Sequence, residues 1–278
     1  VVALAEKRSA SEEADPFSDL VLVGLAGMED PPRPEVREAL ERCRAAGIRV
    51  VMVTGDQRGT AEHVGRSLDL IGEGEDGVLE GRDLGGGDPE GQRRERFLDT
   101  RIFARVSPEQ KLDLIRLHQS AGAIVAMTGD GVNDAPALKQ ADMGVAMGQR
   151  GTQAAREASD MVLKDDAFAT IVAAVAQGRA IFENIRKATV YLLSGNVGEI
   201  LTVAGASVVG APLPLLPLQI LYLNLVNDLF PALALGFGEA PAGVMQRPPR
   251  ERDAPVLDRA RWLAVGLYGA LIAATVLL

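Results

Sequence analysis

Ala123-Ile-Val-Ala-Met-Thr-Gly-Asp-Gly-Val-Asn-Asp-Ala-Pro-Ala-Leu138 is the stretch whose reading decides the fold. Its first half is a short apolar run, as expected of a strand. Its second half is a Gly-rich turn that carries Asp130 and Asp134 and opens a helix over 134–140. A strand that ends this way presents backbone amides and carboxylates at its carboxyl end. Amides there can approach a phosphate closely, and the carboxylates can hold a divalent metal beside it.

Outward from this stretch the same grammar recurs. Ile48–Val53 reads as a buried strand, followed by Thr54, Gly55, Asp56 and a helix over about 59–69. Ile102–Val106 reads as another strand, and Pro108 starts a helix to about Ala121 with Lys111 in its first turn. Met143–Met147 and Met161–Leu163 are two further short strands. Toward the start, residues 1–10 read as the end of a strand, and Leu20–Leu25 as a buried one. Pro31-Pro-Arg-Pro34 then opens a helix that Gly47 closes. The Gly-rich, charged stretch 72–96 reads as a loop with a short hairpin or helix. Strands alternating with helices predict an α/β fold with a doubly wound parallel sheet. Such sheets bind ligands at the carboxyl ends of their strands. Thr54–Asp56, Lys111 and the Gly129–Gly131 turn are therefore expected to converge on one crevice.

The chemistry there is phosphoryl transfer, in which a protein positions phosphate and neutralises its charge. Lys111 would meet phosphate oxygens as a point charge. Thr54 and the Gly55 amide would hydrogen-bond to them. Asp130 would bind Mg²⁺, with Asn133 and Asp134 orienting it. A lone Thr-Gly-Asp is an ordinary turn, but the Gly-Asp-Gly-x-Asn-Asp run is far more specific.

Composition narrows the class. A formal net charge of −9 with 24% charged residues argues against a nucleic-acid partner. Cys43 is the only cysteine, which excludes an intrachain disulfide. His63 and His118 are the only histidines, so a zinc site is not expected. The average also hides a division: residues 1–185 are charged, whereas much of 188–278 is apolar. A long helix from about Phe168 is expected to run unbroken into a first membrane segment, 188–210. A short Pro-rich turn leads to a second, 214–236, and a third begins near 261 and continues to 278. Basic residues flanking the first pair, Arg179, Arg186 and Lys187 before it and Arg247–Arg252 after it, predict that both of its ends are cytoplasmic.

These apolar segments carry polar residues. Asn196 and Glu199 share one helix face, as do Asn224, Asn227 and Asp228. Carboxylates and amides inside such helices are costly unless they meet each other, water or an ion. Oxygen ligands of this kind suit a hard cation such as Ca²⁺. Helix-to-helix hydrogen bonding is the plainer role for them, but it seldom needs two ionisable groups.

Taken together, Val53-Thr-Gly-Asp56, Phe103-Ala-Arg-Val-Ser-Pro-Glu-Gln-Lys111, Thr128-Gly-Asp-Gly-Val-Asn-Asp-Ala-Pro136 and Asp30-Pro-Pro-Arg33 closely resemble the signatures of the P-type ATPases, in their calcium-pump-like branch. The likeness covers essentially the whole chain. It implies a haloacid-dehalogenase-like sheet followed by an α-helical transmembrane hairpin and a partial third helix. By resemblance, 1–16 would end a nucleotide-binding domain and hinge, 17–167 would be most of the phosphorylation domain, and 168–278 the stalk and membrane segments. Asp130 would be the Mg²⁺ aspartate, Asp134 would stand behind it, and Lys111 would be the phosphate lysine. Thr54, Gly55 and Asp56 would line the phosphate, while Asp30, Arg33 and Arg105 would lie near ATP. Asn196, Glu199, Asn224, Asn227 and Asp228 would bind the transported cation, Ca²⁺ by this likeness. Asn227 departs from the best-known calcium pumps, which carry Thr there, so Na⁺ or Mn²⁺ is an alternative cargo.

The family's phosphorylated Asp-Lys-Thr-Gly-Thr does not occur in these 278 residues. It is expected upstream of Val1, in a longer chain of which this is the carboxy-terminal part. This portion alone is then expected to be inactive. Its partners would be the lipid bilayer and the remaining segments of the pump, as a multi-pass protein of a bacterial plasma membrane. A catalytically inactive regulator and a haloacid-dehalogenase-type phosphatase are the other classes considered.

Overall fold

The computed structural model describes residues 2–278 apart from 8–14, 16, 28–30, 73, 75, 76, 86–90, 213 and 240, together with the backbone but not the side chain of Asn227. Two compact units emerge, Val1–Pro34 and Glu35–Leu278.

The first unit is a ribbon of β1 (Val2–Glu6) and β2 (Val21–Ala26), paired antiparallel with an irregularity between Leu4 and Ala5. The Lys7 ammonium closes the connection by donating to the Asp15 carbonyl at 2.8 Å and to Ser18 Oγ at 2.9 Å. The sequence predicts 20–25 as a strand buried in the parallel sheet. Instead it pairs with β1, and Val21, Leu22, Val23 and Leu25 are exposed. An apolar run reports strand character but not the direction or identity of its partner. Arg33 lies at the end of this unit, and Asp30 falls outside the described residues.

The second unit opens with α1 (Pro34–Ala45), β3 (Met52–Val53), α2 (Arg58–Ser67) and β4 (Val78–Glu80). Then come α3 (Gly91–Asp99), β5 (Ile102–Ala104), α4 (Pro108–Ser120), β6 (Ala126–Gly129), α5 (Ala135–Gln140), β7 (Met143–Met147), α6 (Gln153–Ala158) and β8 (Met161–Leu163). All of its strand pairs are parallel. They form two three-stranded sheets, ordered β3-β5-β4 and β6-β7-β8, rather than one continuous sheet. β3 and β6 are each an outer strand of their sheet, as are β4 and β8. The stretch read as a loop with a short hairpin or helix supplies β4 and most of α3. It has too few apolar residues for a periodic signal, yet Val78, Leu79 and Phe97 are buried.

β5 shows why this half holds. Phe103 packs on one face with Leu79, Phe97, Leu114 and Leu117, while Ile102 and Ala104 meet Ala61, Ile71 and Val78 on the other. Alternation along a three-residue strand thus serves two helix layers, each large apolar side chain contributing about 1.5–3 kcal/mol. In the second sheet, Leu138 of α5 and Ala155 of α6 close over Ala146 of β7.

From Phe168 a single helix, α7 (Phe168–Val208), runs for 41 residues without a proline. Its first turns pack Val172 against Ala39 and Cys43 of α1, so Cys43 is an ordinary core residue. After it come α8 (Pro217–Leu223), a π-helical turn over Asn224–Asp228, α9 (Leu229–Gly236) and α10 (Arg259–Leu277). The continuous helix Pro217–Gly236 and α10 are long and apolar enough to cross a membrane. Leu218, Leu221, Leu225, Phe230, Trp262, Leu267 and Leu271 are exposed along them. An uncovered apolar surface of this extent suits lipid. The remaining expected segment, 188–210, is the far half of α7, where Asn196 and Glu199 dilute the apolar run. α10 lies along this half, with glycines at the contact. A Cβ on Gly198 would sit 2.8 Å from Ile272 Cγ2, and one on Gly269 would sit 2.9 Å from Val197 Cβ.

Glycine also controls the approach of α5 to β7, since a Cβ on Gly144 would lie 2.5 Å from the Leu138 carbonyl oxygen. Gly144→Ala is expected to destabilise the protein by about 1–3 kcal/mol, because backbone must move. Gly178→Ala, on α7 with nothing within 4 Å of the new carbon, should stabilise by about 0.5–1 kcal/mol. Thermal unfolding of the two variants in detergent checks the contrast, and a Gly144→Ala midpoint at or above the parent's would refute the packing argument.

Candidate functional site

The carboxyl end of β3 turns through Thr54-Gly55-Asp56. Thr54 Oγ1 donates to Asp56 Oδ2 at 3.0 Å and accepts from the Asp56 amide at 3.1 Å, closing a compact turn. The turn is fastened to the end of β5. The Thr54 amide donates to the Phe103 carbonyl, the Val106 amide to the Thr54 carbonyl and the Arg105 amide to the Asp56 carbonyl. Arg105 reaches that bond with φ at 52°, a left-handed conformation uncommon outside glycine. Its side chain is exposed.

Val106 leads directly into α4. Ser107 caps it: its hydroxyl accepts from the Gln110 amide while Gln110 Oε1 accepts from the Ser107 amide, a reciprocal capping box. The cap fixes the first turn, and with it Lys111. The Lys111 ammonium meets Asp134 Oδ1 at 2.6 Å, with the two side chains only 17% and 12% exposed. The other Asp134 oxygen accepts from the Gly131 amide at 3.2 Å. Gly129 permits this geometry, since a Cβ there would lie 2.6 Å from the Asp134 Cβ. Asp134 is thereby committed to Lys111 and to the turn, while Asp130 and Asn133 stay exposed. The Asp130 carbonyl accepts from the Thr152 amide at 2.8 Å.

Continuous hydrogen bonding therefore joins Thr54–Asp56, the β5 end, Lys111, Asp134 and the Gly131 turn. Among the described residues no three His, Cys, Asp or Glu side chains gather to hold a metal by themselves. Mg²⁺ does not require such a cage, because it is commonly held by one or two carboxylates plus phosphate and water. The exposed Asp130 carboxylate fits that role, and the doubly engaged Asp134 fits a supporting one.

The membrane half holds a second polar cluster. Glu199 and Asn196 are half-buried on α7. The Asn224 amide, at the start of the π-turn, lies against the Glu199 carboxylate. With its nitrogen turned toward Glu199 it donates at 3.0 and 3.2 Å to the two oxygens. Asp228 Oδ1 lies 4.0 Å from where a Gly195 Cβ would be, so Asp228 faces the same stretch of α7. Asn224 and Asp228 open onto a groove lined by Leu192, Leu225, Leu229 and Ala232. Asn227 lies in the π-turn, but its side chain is outside the described portion. The turn is wider than that of a regular α-helix, a form often found at functional sites. Pro231 is the sequence signal for it, because it lacks the N–H that an α-helix would give the Asn227 carbonyl.

Between the two clusters is a junction that the motifs did not reveal. One Arg179 guanidinium nitrogen donates to the carbonyls of Val244 and Arg247, and the other to Ala46 at the end of α1. Gly47, at φ 68°, leaves just enough room for Pro248 and Pro249. Arg250 stacks over Phe182 of α7, 3.9 Å from the ring centroid, and Arg252 pairs with Asp142 at 3.6 Å. The 247–252 stretch, expected to serve topology, is thus also a strap across α1, α7 and the second sheet.

Residues 3–142 match the model of the haloacid dehalogenase-like hydrolases. Residues 212–278 match that of the cation transporting ATPase C-terminus. The chain belongs to the P-type cation-transporting ATPases. A calcium-transporting ATPase of Bacillus subtilis is 47% identical over 274 residues, an alignment covering 99% of this chain and 30% of that protein. The endoplasmic reticulum calcium ATPase srcA of Aspergillus fumigatus is 46% identical, over 95% of this chain and 28% of its own. An endoplasmic reticulum-type calcium-transporting ATPase of Arabidopsis thaliana is 45% identical, over 90% and 24%. The chain therefore spans less than a third of the length of these curated relatives.

For this P-type ATPase portion, the Lys111–Asp134 pair supplies a test of the site's architecture. Lys111→Met strands a nearly buried carboxylate and should cost about 3 kcal/mol. A double-mutant cycle with Asp134→Asn should return a coupling of about 1–3 kcal/mol. Denaturant unfolding measures both, and a coupling near zero would mean that the pair does not join the two loops.

Proposed function

We propose that this chain is the phosphorylation and membrane portion of an ATP-driven pump that moves a divalent cation, Ca²⁺, through an aspartyl-phosphate intermediate. The observation that carries the reading is the pairing of Glu199 with Asn224 beside Asp228. With the Asn224 amide reversed, its oxygen joins the two Glu199 oxygens within hydrogen-bonding distance. Such a cluster of oxygens repels itself unless a cation sits among them. One set of side-chain positions thus serves both conditions, a hydrogen bond without the ion and a ligand set with it.

At the other end, an aspartate carboxylate attacks the γ-phosphorus of ATP; the bond to ADP breaks and an acyl phosphate forms. The acceptor would come from another part of the longer protein, on a strand lying between β3 and β6. Support for that placement is that each of these is an outer strand of its parallel sheet and so has an open edge. Their carboxyl ends carry Thr54–Asp56 and Asp130, so an acceptor there would be flanked by both. Lys111 would use one N–H for Asp134 and offer its other donors to phosphate oxygens. Thr54 and the Gly55 amide would hydrogen-bond to the phosphoryl group. Asp130 would hold Mg²⁺, which when bound neutralises developing charge. Arg105, exposed at the rim, together with Asp30 and Arg33, is assigned to the nucleotide by family likeness alone.

The test uses the full-length protein. Glu199→Gln keeps the hydrogen-bonding shape and removes the charge. It should raise the cation concentration that half-activates phosphorylation from ATP by about 10-fold or more, the equivalent of at least 1.4 kcal/mol. Phosphorylation from inorganic phosphate, which depends on Lys111 and Asp130, should persist. Unchanged cation activation would remove Glu199 from the transport site. Running the titration with Ca²⁺, Mn²⁺ and Na⁺ separates the possible cargoes.

A further inference from the structure

The two halves of the proposed mechanism need a mechanical link, and one is built around a residue to which none of the motifs assigns a role. β8 ends at Leu163, and Lys164-Asp165-Asp166 connects it to α7. The Asp166 side chain is buried in this connection, with the residue 8% exposed. Its Oδ1 accepts from the Gln149 amide at 3.0 Å and its Oδ2 from the Arg150 amide at 2.9 Å. The backbone that delivers it is left-handed, with φ at 51°, which is unfavourable for a residue other than glycine.

The loop it grips is held on its other sides as well. The Gly148 amide donates to the Leu163 carbonyl at 2.8 Å, and Gln149 Nε2 to the Lys164 carbonyl at 2.9 Å. A Cβ on Gly148 would lie 2.6 Å from the Leu163 carbonyl oxygen, so only glycine fits. At the far end of the loop, the Thr152 amide donates to the Asp130 carbonyl at 2.8 Å. An unbroken path therefore runs from the start of α7, through Asp166 and residues 149–152, to the backbone of the carboxylate assigned to Mg²⁺.

We propose that Asp166 is a positioning residue that pins the 148–152 loop to α7 and, through Thr152, sets the place of Asp130. The assignment rests on the reading of Asp130 given above. Its neighbour Asp165 does something different: its carboxylate accepts from the Ala167 amide and from Thr170 Oγ1, which only caps the first turn of α7. That difference supplies the control. Asp166→Asn keeps the size but turns one acceptor into an NH₂ that must face a backbone N–H. Asp165→Asn perturbs the same helix end without touching the loop.

The experiment measures amide hydrogen exchange in the metal-free, full-length protein. Asp166→Asn should speed exchange by about 10-fold or more in both 148–152 and 129–134, while Asp165→Asn leaves both within about twofold of the parent. A second variant, Thr152→Pro, suits the local φ of −67° and deletes the amide that reaches Asp130. It should speed exchange in 129–134 while Gln149 and Arg150 stay protected. The Mg²⁺ concentration half-saturating phosphoenzyme formation from inorganic phosphate should rise several-fold in Asp166→Asn. Equal effects of the two Asp variants, or faster exchange confined to 148–152, would overturn the proposal. Failure of the parent protein to form a phosphoenzyme would overturn the pump reading and, with it, the metal role. The exchange contrast needs no turnover, so the two failures are distinguishable.

Discussion

The candidate site depends on how two separate parallel sheets are held together, and the Lys111–Asp134 ion pair joins them at their strand ends. Lys111 stands at the first turn of the helix that follows β5, and Asp134 in the turn that follows β6. Their contact joins the strand ends of one sheet to those of the other. At the opposite end of α4, Gln119 donates to the Gln140 carbonyl and to Asp142, and accepts from Gln140 Nε2. The helix is thus tied to the second sheet at both ends. A nearly buried ion pair is a poor way to gain stability, because desolvation offsets most of its attraction. It is a good way to fix a position, since either group alone would be badly placed.

The membrane end solves a different problem. α7 has no proline over 41 residues, and its hydroxyls are returned to its own backbone: Ser194 to the Val190 carbonyl and Thr202 to the Gly198 carbonyl. It can transmit displacement as a rod. Opposite it, the π-turn at Asn224–Asp228 is a place where regular helix geometry is already interrupted. A stiff element carrying Glu199 faces a compliant one carrying Asn224 and Asp228. Relative movement can then open or close the oxygen cluster without breaking α7.

Much of this was legible in the sequence, for physical reasons that also explain the rest. Met143–Met147 and Met161–Leu163 appear as read, because their apolar runs and turn residues admit one interpretation. The helices opening at Pro34 and Pro108 begin at those prolines. Over 72–96 the sequence shows only a loop with a short hairpin or helix, because the polar, Gly-rich background leaves the positions of β4 and α3 to a few buried residues. The partner of β2 was hidden because hydrophobicity does not record strand direction. At the site, the glycines and carboxylates of 129–134 marked the turn, but nothing in their spacing announced that Asp134 would be committed to Lys111. The Arg179 junction was invisible for a more basic reason. Its acceptors are backbone carbonyls of Ala46, Val244 and Arg247, and any residue could have supplied them.

That junction also bears on how the ends communicate. A rod transmits motion only if it is gripped. α7 is gripped at its start by Asp166 and by the packing of Val172 on α1, and further along by Arg179 and by Arg250 stacked on Phe182. Asn184 adds a bond from its buried amide to the Gly238 carbonyl, at 2.6 Å, just beyond the end of α9. These contacts all lie between residues 166 and 186, before the polar cluster begins. Past them, α7 packs mainly against α10, with Ile272 seated at Gly198 and Val197 at Gly269. On the proposed pump reading, a rearrangement of the two sheets around phosphate would be carried into α7 near its start, on the helix that carries Glu199.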